Sequence, residues 1–152
     1  MVMLLTLPYQ LGGYKLKTPM LNGRATPTRA AKSSSSKTFY ACDLYWPDAN
    51  VAAEYDSDAY HTGPKRIASD SKRRNSLASM GINTITVTNH QLRSTVEFEK
   101  IAKQLAKHLG KRLQFKNPGF IKARNGLRNL LLQTPGKTLH PFLQVESSDL
   151  AD

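Results

Sequence analysis

The sequence has very little cysteine, no long apolar run and no acidic residue in its first 42 positions. Cys42 is the one cysteine, so a framework of internal disulfide bonds is excluded and a reducing compartment is favoured. No stretch approaches the ~20 apolar residues of a membrane-spanning helix. The apolar start, MVMLLTLPYQ, has no basic segment before it and no small-residue cleavage site, which predicts core structure and not a signal peptide. These absences predict a cytoplasmic protein without a membrane partner.

The charges are unevenly distributed along the chain. Residues 1–42 carry six basic side chains and no acidic ones, whereas residues 43–58 carry five acidic side chains and no basic ones. Residues 59–152 return to sixteen basic against six acidic side chains, and the 152-residue chain has a net charge of +11. Such an excess favours nucleic acid, and less often anionic lipid, as a partner. A basic surface that is merely solvated is the alternative.

What the sequence does contain is an alternation of strand and helix patterns after residue 37. Residues 1–37 are rich in Gly, Pro, Ser and Thr, with LGG and LNG as turn signals, which predicts an irregular basic segment. Hydrophobic periodicity and turn residues then predict strands at 38–46 and 50–56, a helix at 66–81 ended by Gly81, a parallel strand at 82–88, and helices at 90–113 and 120–133. The order predicts a mixed α/β domain, with its core at 38–113 and a basic helical segment with a polar tail at 114–152.

The first two predicted strands place acidic residues opposite one another. If a four-residue loop joins them, Trp46 faces Val51 and Asp43 faces Glu54. Because side chains alternate along a strand, Asp43, Glu54 and Asp56 then share one face. The opposite face, predicted to meet the core, carries Tyr40, Cys42, Leu44, Trp46, Val51, Ala53 and Tyr55.

Opposed carboxylates of this kind predict a cation site. Like charges on directly opposed residues, with Cβ atoms about 5 Å apart, are destabilising unless the pair shares a proton or holds a cation. Oxygen ligands favour a hard ion such as Mg²⁺, completed by waters and phosphate oxygens. An acidic strand facing solvent is the alternative, and a register shift of one residue would separate the pair. A calcium loop is disfavoured because the EF-hand spacing is absent.

The segment CDLYWPDANVAAEYDSDAYHTGPKRIASDSKRRNSLASMGINTITVT resembles the very-short-patch-repair-type endonuclease-like domains of the PD-(D/E)xK, or restriction-endonuclease-like, superfamily. The similar branch is bacterial and uncharacterised. Its pattern is an Asp on one strand, Glu-x-Asp-Gly on the next, a His, Asp-x-x-Arg on a helix ending at Gly, and a strand. The matching positions, which lie within about residues 38–90, are Asp43, EYDS at 54–57, His61, DSKR at 70–73, Gly81 and INTITVT at 82–88.

The resemblance implies an αβββαβ-type core, a mixed sheet flanked by helices, with the first helix reduced or missing. It also implies hydrolysis of DNA phosphodiester bonds with Mg²⁺, for which Mn²⁺ substitutes. Asp43, Glu54 and Asp56 become the catalytic metal-binding residues, with Asp56 standing where many relatives have a catalytic Lys. By the resemblance, His61 polarises the attacking water or contacts the scissile phosphate. The alternative role for His61 is that of a loop residue whose side chain forms a hydrogen bond with the backbone.

The sequence departs from the family pattern at several positions. Ser57 stands where the branch has Gly, and no acidic residue precedes the first strand, although many members carry a ligand there. A homodimer or a partner chain supplying that ligand is therefore one expectation. Lys65 or Lys72 is the candidate to replace the missing Lys. These departures leave open a fold that binds DNA without cleaving it.

Basic residues on the predicted helices complete the candidate site. Asp70 and Arg73 brace it by the resemblance, although their spacing also suits a plain helical ion pair. The residues predicted to contact DNA are Lys65, Lys72, Arg73, Arg74, Lys103, Lys107, Lys111 and Arg112. The leading hypothesis is a Mg²⁺-dependent DNA endonuclease. A non-catalytic nucleic-acid-binding or regulatory module on the same fold, and a protein-interaction domain with an acidic partner, are the alternatives.

Overall fold

The structure is a computed structural model that describes residues 1–26, 39–56, 64–114 and 118–132, with backbone alone at 64–66. Two short 3-10 turns, Tyr9–Leu11 and Pro47–Ala49, accompany the regular elements. These elements are α1 (Val2–Thr6), β1 (Met20–Ala25), β2 (Tyr40–Trp46), β3 (Val51–Asp56), α2 (Pro64–Ser79), β4 (Asn83–Thr88), α3 (Asn89–Arg93), α4 (Thr95–His108) and α5 (Pro118–Leu132).

The strands form one four-stranded mixed sheet in the order β1-β2-β3-β4. β2 is antiparallel to both β1 and β3, whereas β3 and β4 are parallel. A parallel neighbour needs a crossover connection, and α2 lies in that connection. The prediction of a mixed α/β fold with helices on the sheet is confirmed, as is the parallel strand predicted at 82–88, which is β4.

The β2–β3 hairpin has the predicted register. Trp46 pairs with Val51 and Leu44 with Ala53 around the 3-10 turn. Asn50 closes the turn at φ +46°, in the left-handed region that asparagine tolerates better than most residues do. The turn chemistry of PDAN therefore fixes which residues of the two strands stand opposite one another.

The N-terminal segment is predicted to be irregular, but residues 1–26 contain the helix α1 and the strand β1. Leu4, Leu5, Tyr14 and Leu16 are buried in the main hydrophobic cluster. Each such side chain contributes roughly 1.5–3 kcal/mol when it leaves water, which outweighs a composition rich in turn formers. The part of the predicted segment at 27–37 lies outside the described residues.

The LNG sequence in this segment is part of a strand and not a turn. Asn22 takes φ +48° within β1, and the paired residues Leu21 and Gly23 lie on either side of it. A Cβ on Gly23 would lie 2.8 Å from the Cβ of Tyr45 on the neighbouring strand. Glycine is needed there because the two strands pack closely. From composition alone, the same glycine predicts a turn.

Helices cover both faces of the sheet and bury two clusters. Helices α1, α3, α4 and α5 pack with β2, β3 and β4 residues in the main cluster. The second cluster lies between the other sheet face and α2, and it contains Ala25, Tyr40, Cys42, Tyr45, Ala52, Leu77 and Ile82. Leu77 is the one buried residue among the described side chains of α2.

The predicted core face of the hairpin is correct for part of β2 and wrong for the rest. Leu44 and Trp46 join the main cluster as expected, but Tyr40 and Cys42 belong to the second cluster. The side-chain direction changes between Cys42 and Leu44, next to the irregular Asn22 of β1. Strict alternation along the strand therefore fails at Asp43. Tyr55, also predicted on the core face, is 39% exposed.

The helix predicted at 90–113 is divided into α3 and α4. The Ser94 side chain accepts a hydrogen bond from the N–H of Glu97, which caps a new helix. α4 ends at His108, and Gly110 follows with φ +63°. The other predicted helices are confirmed at Pro64–Ser79 and Pro118–Leu132. In the described ranges no helix has the length and apolar character to cross a bilayer.

Candidate functional site

Asp43 lies where the pairing of β2 with β3 ends. The last paired residues are Leu44 and Ala53. One residue further, the Oδ2 atom of Asp43 accepts a hydrogen bond of 2.8 Å from the backbone N–H of Tyr55. A side-chain carboxylate thus replaces the carbonyl that a continuing strand would offer, and it is held beside the strand segment that carries Glu54.

Glu54 lies on the sheet face that α2 covers, and it forms an ion pair with Arg73 of that helix. The Nη2 atom of Arg73 donates to the Oε1 atom of Glu54 and, at 2.5 Å, to the carbonyl of Ala41. Their side chains are only 30% and 21% exposed. The hydrogen bond to Glu54 raises the pKa of Arg73 above its usual value. Arg73 therefore links β2, β3 and α2 at one point.

Cys42 adds a thiol to this group. Its side chain is fully buried, and burial and the charge of Glu54 raise its pKa to about 11, against an opposing effect of Arg73. The charges of Glu54 and Arg73 thus act on this thiol in opposite directions. At neutral pH the side chain is a neutral thiol and not a thiolate nucleophile.

The raised pKa of Cys42 predicts that stability falls in alkaline solution. Above pH 9.0, the ordinary value, the unfolded thiol loses its proton, whereas the folded thiol keeps its proton to about pH 11. Stability should fall as pH rises through this window, by about 1.4 kcal/mol per pH unit at most. Urea unfolding from pH 8 to 11 measures the slope. The Cys42→Ala variant should show a smaller slope, and an equal slope would contradict the assignment.

The predicted metal ligands are brought together only in part. Asp43 and Glu54 come from adjacent strands, and Asp56 lies half-buried at the end of β3, where its backbone pairs with Thr88. His61 and the adjoining residues 57–63 lie outside the described part of the chain. Across the described ranges, no group of three His, Cys, Asp or Glu side chains could hold a metal ion.

The donor chemistry nevertheless suits Mg²⁺ bound by two carboxylates. Mg²⁺ is held by one or two carboxylates together with waters and substrate phosphates. Asp43 and Glu54 supply two such groups, although Tyr55 and Arg73 each occupy one oxygen. The two carboxylates suit a Mg²⁺ site whose remaining ligands are waters and substrate phosphates. In the described part of the chain, they do not suit a site made of protein ligands alone.

The helical ion pair that the spacing of Asp70 and Arg73 left open as an alternative is not formed. Asp70 is exposed, and Arg73 pairs with Glu54 of the sheet instead. The sequence offered no sign of the roles of Ala41, whose carbonyl receives Arg73, or of Cys42. Cys42 was assigned to the opposite face by strict alternation, so its place beside Glu54 depends on the irregularity at Asp43.

The residues predicted to bind DNA divide between two faces of the sheet. Lys72 and Arg74 are exposed on α2, on the same side as Glu54. The side chain of Lys65 lies outside the described part. On the opposite face, the C-terminal end of α4 forms a shallow groove of about 470 Å³ that Lys103, Lys107, Lys111 and Arg112 line with Ala106, Gly110 and Leu113.

Two of the groove residues are already engaged within the protein. Lys111 donates to the carbonyl of Lys15, and desolvation lowers its pKa. Lys103 forms an ion pair of 2.8 Å with Glu99 one turn earlier on α4. Lys107 and Arg112 are exposed, and the negative end of the helix dipole at this terminus favours a cluster of positive charge. The groove therefore combines fixed and solvent-facing cations.

Comparison with known proteins gives two relatives of Mycobacterium tuberculosis, from strains CDC 1551 / Oshkosh and ATCC 25618 / H37Rv, both described as uncharacterized. Each is 33% identical over 67 residues, which make up 44% of this chain and 24% of the relative. The match therefore spans about a quarter of the length of these curated relatives. No protein-family model and no solved structure match the chain.

Proposed function

We propose that the chain is a Mg²⁺-dependent endonuclease-like protein that hydrolyses DNA phosphodiester bonds on a restriction-endonuclease-like core. The observation that carries the proposal is the placement of Asp43 and Glu54, two carboxylates on neighbouring strands, in a chain of net charge +11. Phosphoryl chemistry needs a cation held by carboxylates next to a surface that attracts phosphates.

The element order supports the same proposal. α1, β1, β2, β3, α2 and β4 follow one another in the αβββαβ order that the sequence resemblance implies. α1 has only five residues, in agreement with a reduced first helix. Arg73, the last residue of the DSKR match, reaches Glu54, the first residue of the EYDS match. A homodimer or partner chain that supplies a further acidic ligand stays a prediction.

The side chains have separable tasks under this proposal. When bound, Mg²⁺ lowers the pKa of a coordinated water and neutralises charge on the phosphate. Asp43 and Glu54 would hold the ion. The N–H of Tyr55 fixes the Asp43 carboxylate, and Arg73 fixes that of Glu54 while offsetting part of its charge. His61 stays the proposed partner of the attacking water.

The direct test uses supercoiled plasmid and single-stranded DNA with the wild-type chain. Mg²⁺ or Mn²⁺ should support nicking of DNA, and EDTA should stop it. Absence of cleavage with either metal, in protein that binds the same DNA, would overturn the nuclease proposal.

Nucleic-acid binding without catalysis is the second candidate. The observation that favours it is the Glu54–Arg73 pair, because a carboxylate that already has a cationic partner needs no metal. Such a module would bind DNA equally well with and without divalent ions. The Asp43→Ala and Glu54→Ala variants would keep this binding.

Both candidates predict a salt-dependent affinity for DNA that depends on the groove at the end of α4. Replacing Lys103, Lys107 and Arg112 with Gln removes three charges and should make the slope of log K against log salt about 2.7 less negative. Fluorescence anisotropy with duplex DNA measures this slope. Lys17→Gln is the control, because Lys17 is paired with Asp48 and should not change it. An unchanged slope in the triple variant would exclude this groove as the DNA contact.

A further inference from the structure

Arg128 of α5 is a buried charged side chain that has no carboxylate partner among the residues that the structure describes. It is 5% exposed, and its Nη2 atom donates to the carbonyls of Leu92 and Arg93 at 2.7 and 2.8 Å. These bonds satisfy the end of α3, and the guanidinium lies 5.5 Å from the ring centre of Phe98. The Nη1 atom has no hydrogen-bond partner within the described part of the chain. The hydrogen bonds to the end of α3 therefore use only Nη2 of the guanidinium and leave Nη1 without an acceptor among the described residues.

Arg128 is one of the residues that line a polar cavity of about 500 Å³ between α5 and the start of α4. The residues around it are Arg93, Thr95, Asn125, Arg128, Asn129 and Leu132, with no acidic side chain among them. Arg93 donates to the side chain of Asn89 and to the carbonyl of Leu132, so its partners are also uncharged. Two cations thus meet amide groups in one cavity.

The third contribution is the N-terminus of α4, a helix of 14 residues. The Ser94 side chain caps the N–H of Glu97, which leaves the N–H groups of Thr95 and Val96 as those without an intrahelical acceptor. The positive end of the helix dipole adds to the two guanidinium charges. The nearest carboxylates on α4 have partners elsewhere, since Glu97 pairs with Lys100 and Glu99 with Lys103 and Arg124.

We infer that this cavity binds a phosphate group, held by Arg93, Arg128 and the free N–H groups at the start of α4. Desolvation by burial lowers the pKa of Arg128, and a bound dianion would supply a negative charge that none of the described residues provides. The cavity lies on the side of the sheet opposite α2, away from the Glu54–Arg73 pair. The inference therefore does not depend on nuclease activity and would hold if that activity were absent.

The test is a titration of the full chain with inorganic phosphate, followed by ¹H–¹⁵N NMR at constant ionic strength with chloride as the reference. The amides of Thr95 and Val96 should shift and saturate with a Kd of roughly 1–10 mM. Arg93→Gln should raise the Kd about tenfold or more, as expected for loss of a charge-assisted hydrogen bond. Lys17→Gln, at an exposed side chain paired with Asp48 and outside the cavity, should leave it unchanged. Shifts that do not saturate, or that Arg93→Gln leaves intact, would overturn the site.

Arg128→Gln is the second variant. If it folds, it should abolish the saturable shifts, and saturation that persists would overturn the site. If it does not fold, the side-chain N–H signals of Arg128 are followed in the wild-type protein instead, and phosphate must shift these signals.

Repeating the titration with a short DNA duplex separates two sources of phosphate. A nucleic-acid backbone should move the same amides, whereas a free phosphate or phosphomonoester site should respond to inorganic phosphate alone.

Discussion

Replacing Asp43 with Asn or Glu54 with Gln should lower the rate of Mg²⁺-dependent DNA cleavage at least ~100-fold, because each change removes one of the two charges proposed to hold the ion. Both substitutions keep the size of the side chain. The amide oxygen introduced at position 43 can still accept the N–H of Tyr55, and the amide oxygen introduced at position 54 can still accept from Arg73. The loss should therefore appear in the rate and in metal affinity while the fold is kept.

Asp48→Asn is the matched control for this experiment. Asp48 belongs to the same acidic segment but lies in the exposed 3-10 turn, where Lys17 pairs with it and lowers its pKa. Its loss should leave the cleavage rate unchanged. The DNA affinities of all three variants and the unfolding midpoints of the Asp43 and Asp48 variants should match the wild type, whereas Glu54→Gln should lower the midpoint because it weakens the pair with Arg73. Cleavage by the Asp43 and Glu54 variants at the wild-type rate would remove these residues from the proposed centre.

Replacing Phe98 with Ala should destabilise the protein by about 3–5 kcal/mol, the range for loss of a buried aromatic ring. Phe98 is fully buried in the main cluster, its ring centre lies 6.1 Å from that of Tyr14, and it supports the guanidinium of Arg128. A change of this size corresponds to a Tm lower by roughly 10 °C for a chain of this length. Thermal and urea unfolding measure both quantities.

Val96→Ala, two residues earlier on α4, supplies the comparison. Val96 is 66% exposed, so its truncation should change the free energy of unfolding by no more than ~0.5 kcal/mol. Equal destabilisation by the two variants would contradict the role of Phe98 in the core, because both substitutions introduce Ala, the best helix former, and differ only in the packing that they remove. A large effect for Phe98 alone would place the core between α4, the sheet and α5.

Local patterns predicted most of the elements after residue 37. Trp46 and Val51 stand opposite one another because PDAN has the chemistry of a tight turn, and Gly81, at φ +76°, follows α2 as a helix-ending glycine does. The split at Ser94 was missed although its signal is local. A serine three residues before a glutamate is a capping pattern, and the continuous apolar stripe of the long segment concealed it.

The remaining features depend on contacts between distant residues. The structure of residues 1–26 depends on apolar side chains that enter the main cluster, and β1 depends on Ala25 in the second cluster and on the fit of Gly23 against Tyr45. Neither fact can be read from a segment rich in Gly, Pro and Ser. The position of Arg73 beside Glu54 likewise follows from how α2 crosses the sheet, because the DSKR spacing on its own suits a pair within the helix as well as a role at the site.

The attachment of α2 has a consequence for motion. Leu77 is the one buried residue among its described side chains, whereas α4 buries five. Hydrogen exchange by local opening follows the number of buried contacts that must break, so α2 should open at a lower free energy than α4. Each opening would separate Arg73 from Glu54, uncover the thiol of Cys42 and expose the carboxylate of Glu54 to solvent, next to that of Asp43, which is already exposed. The charge state of this face is thus coupled to the lifetime of one weakly anchored helix.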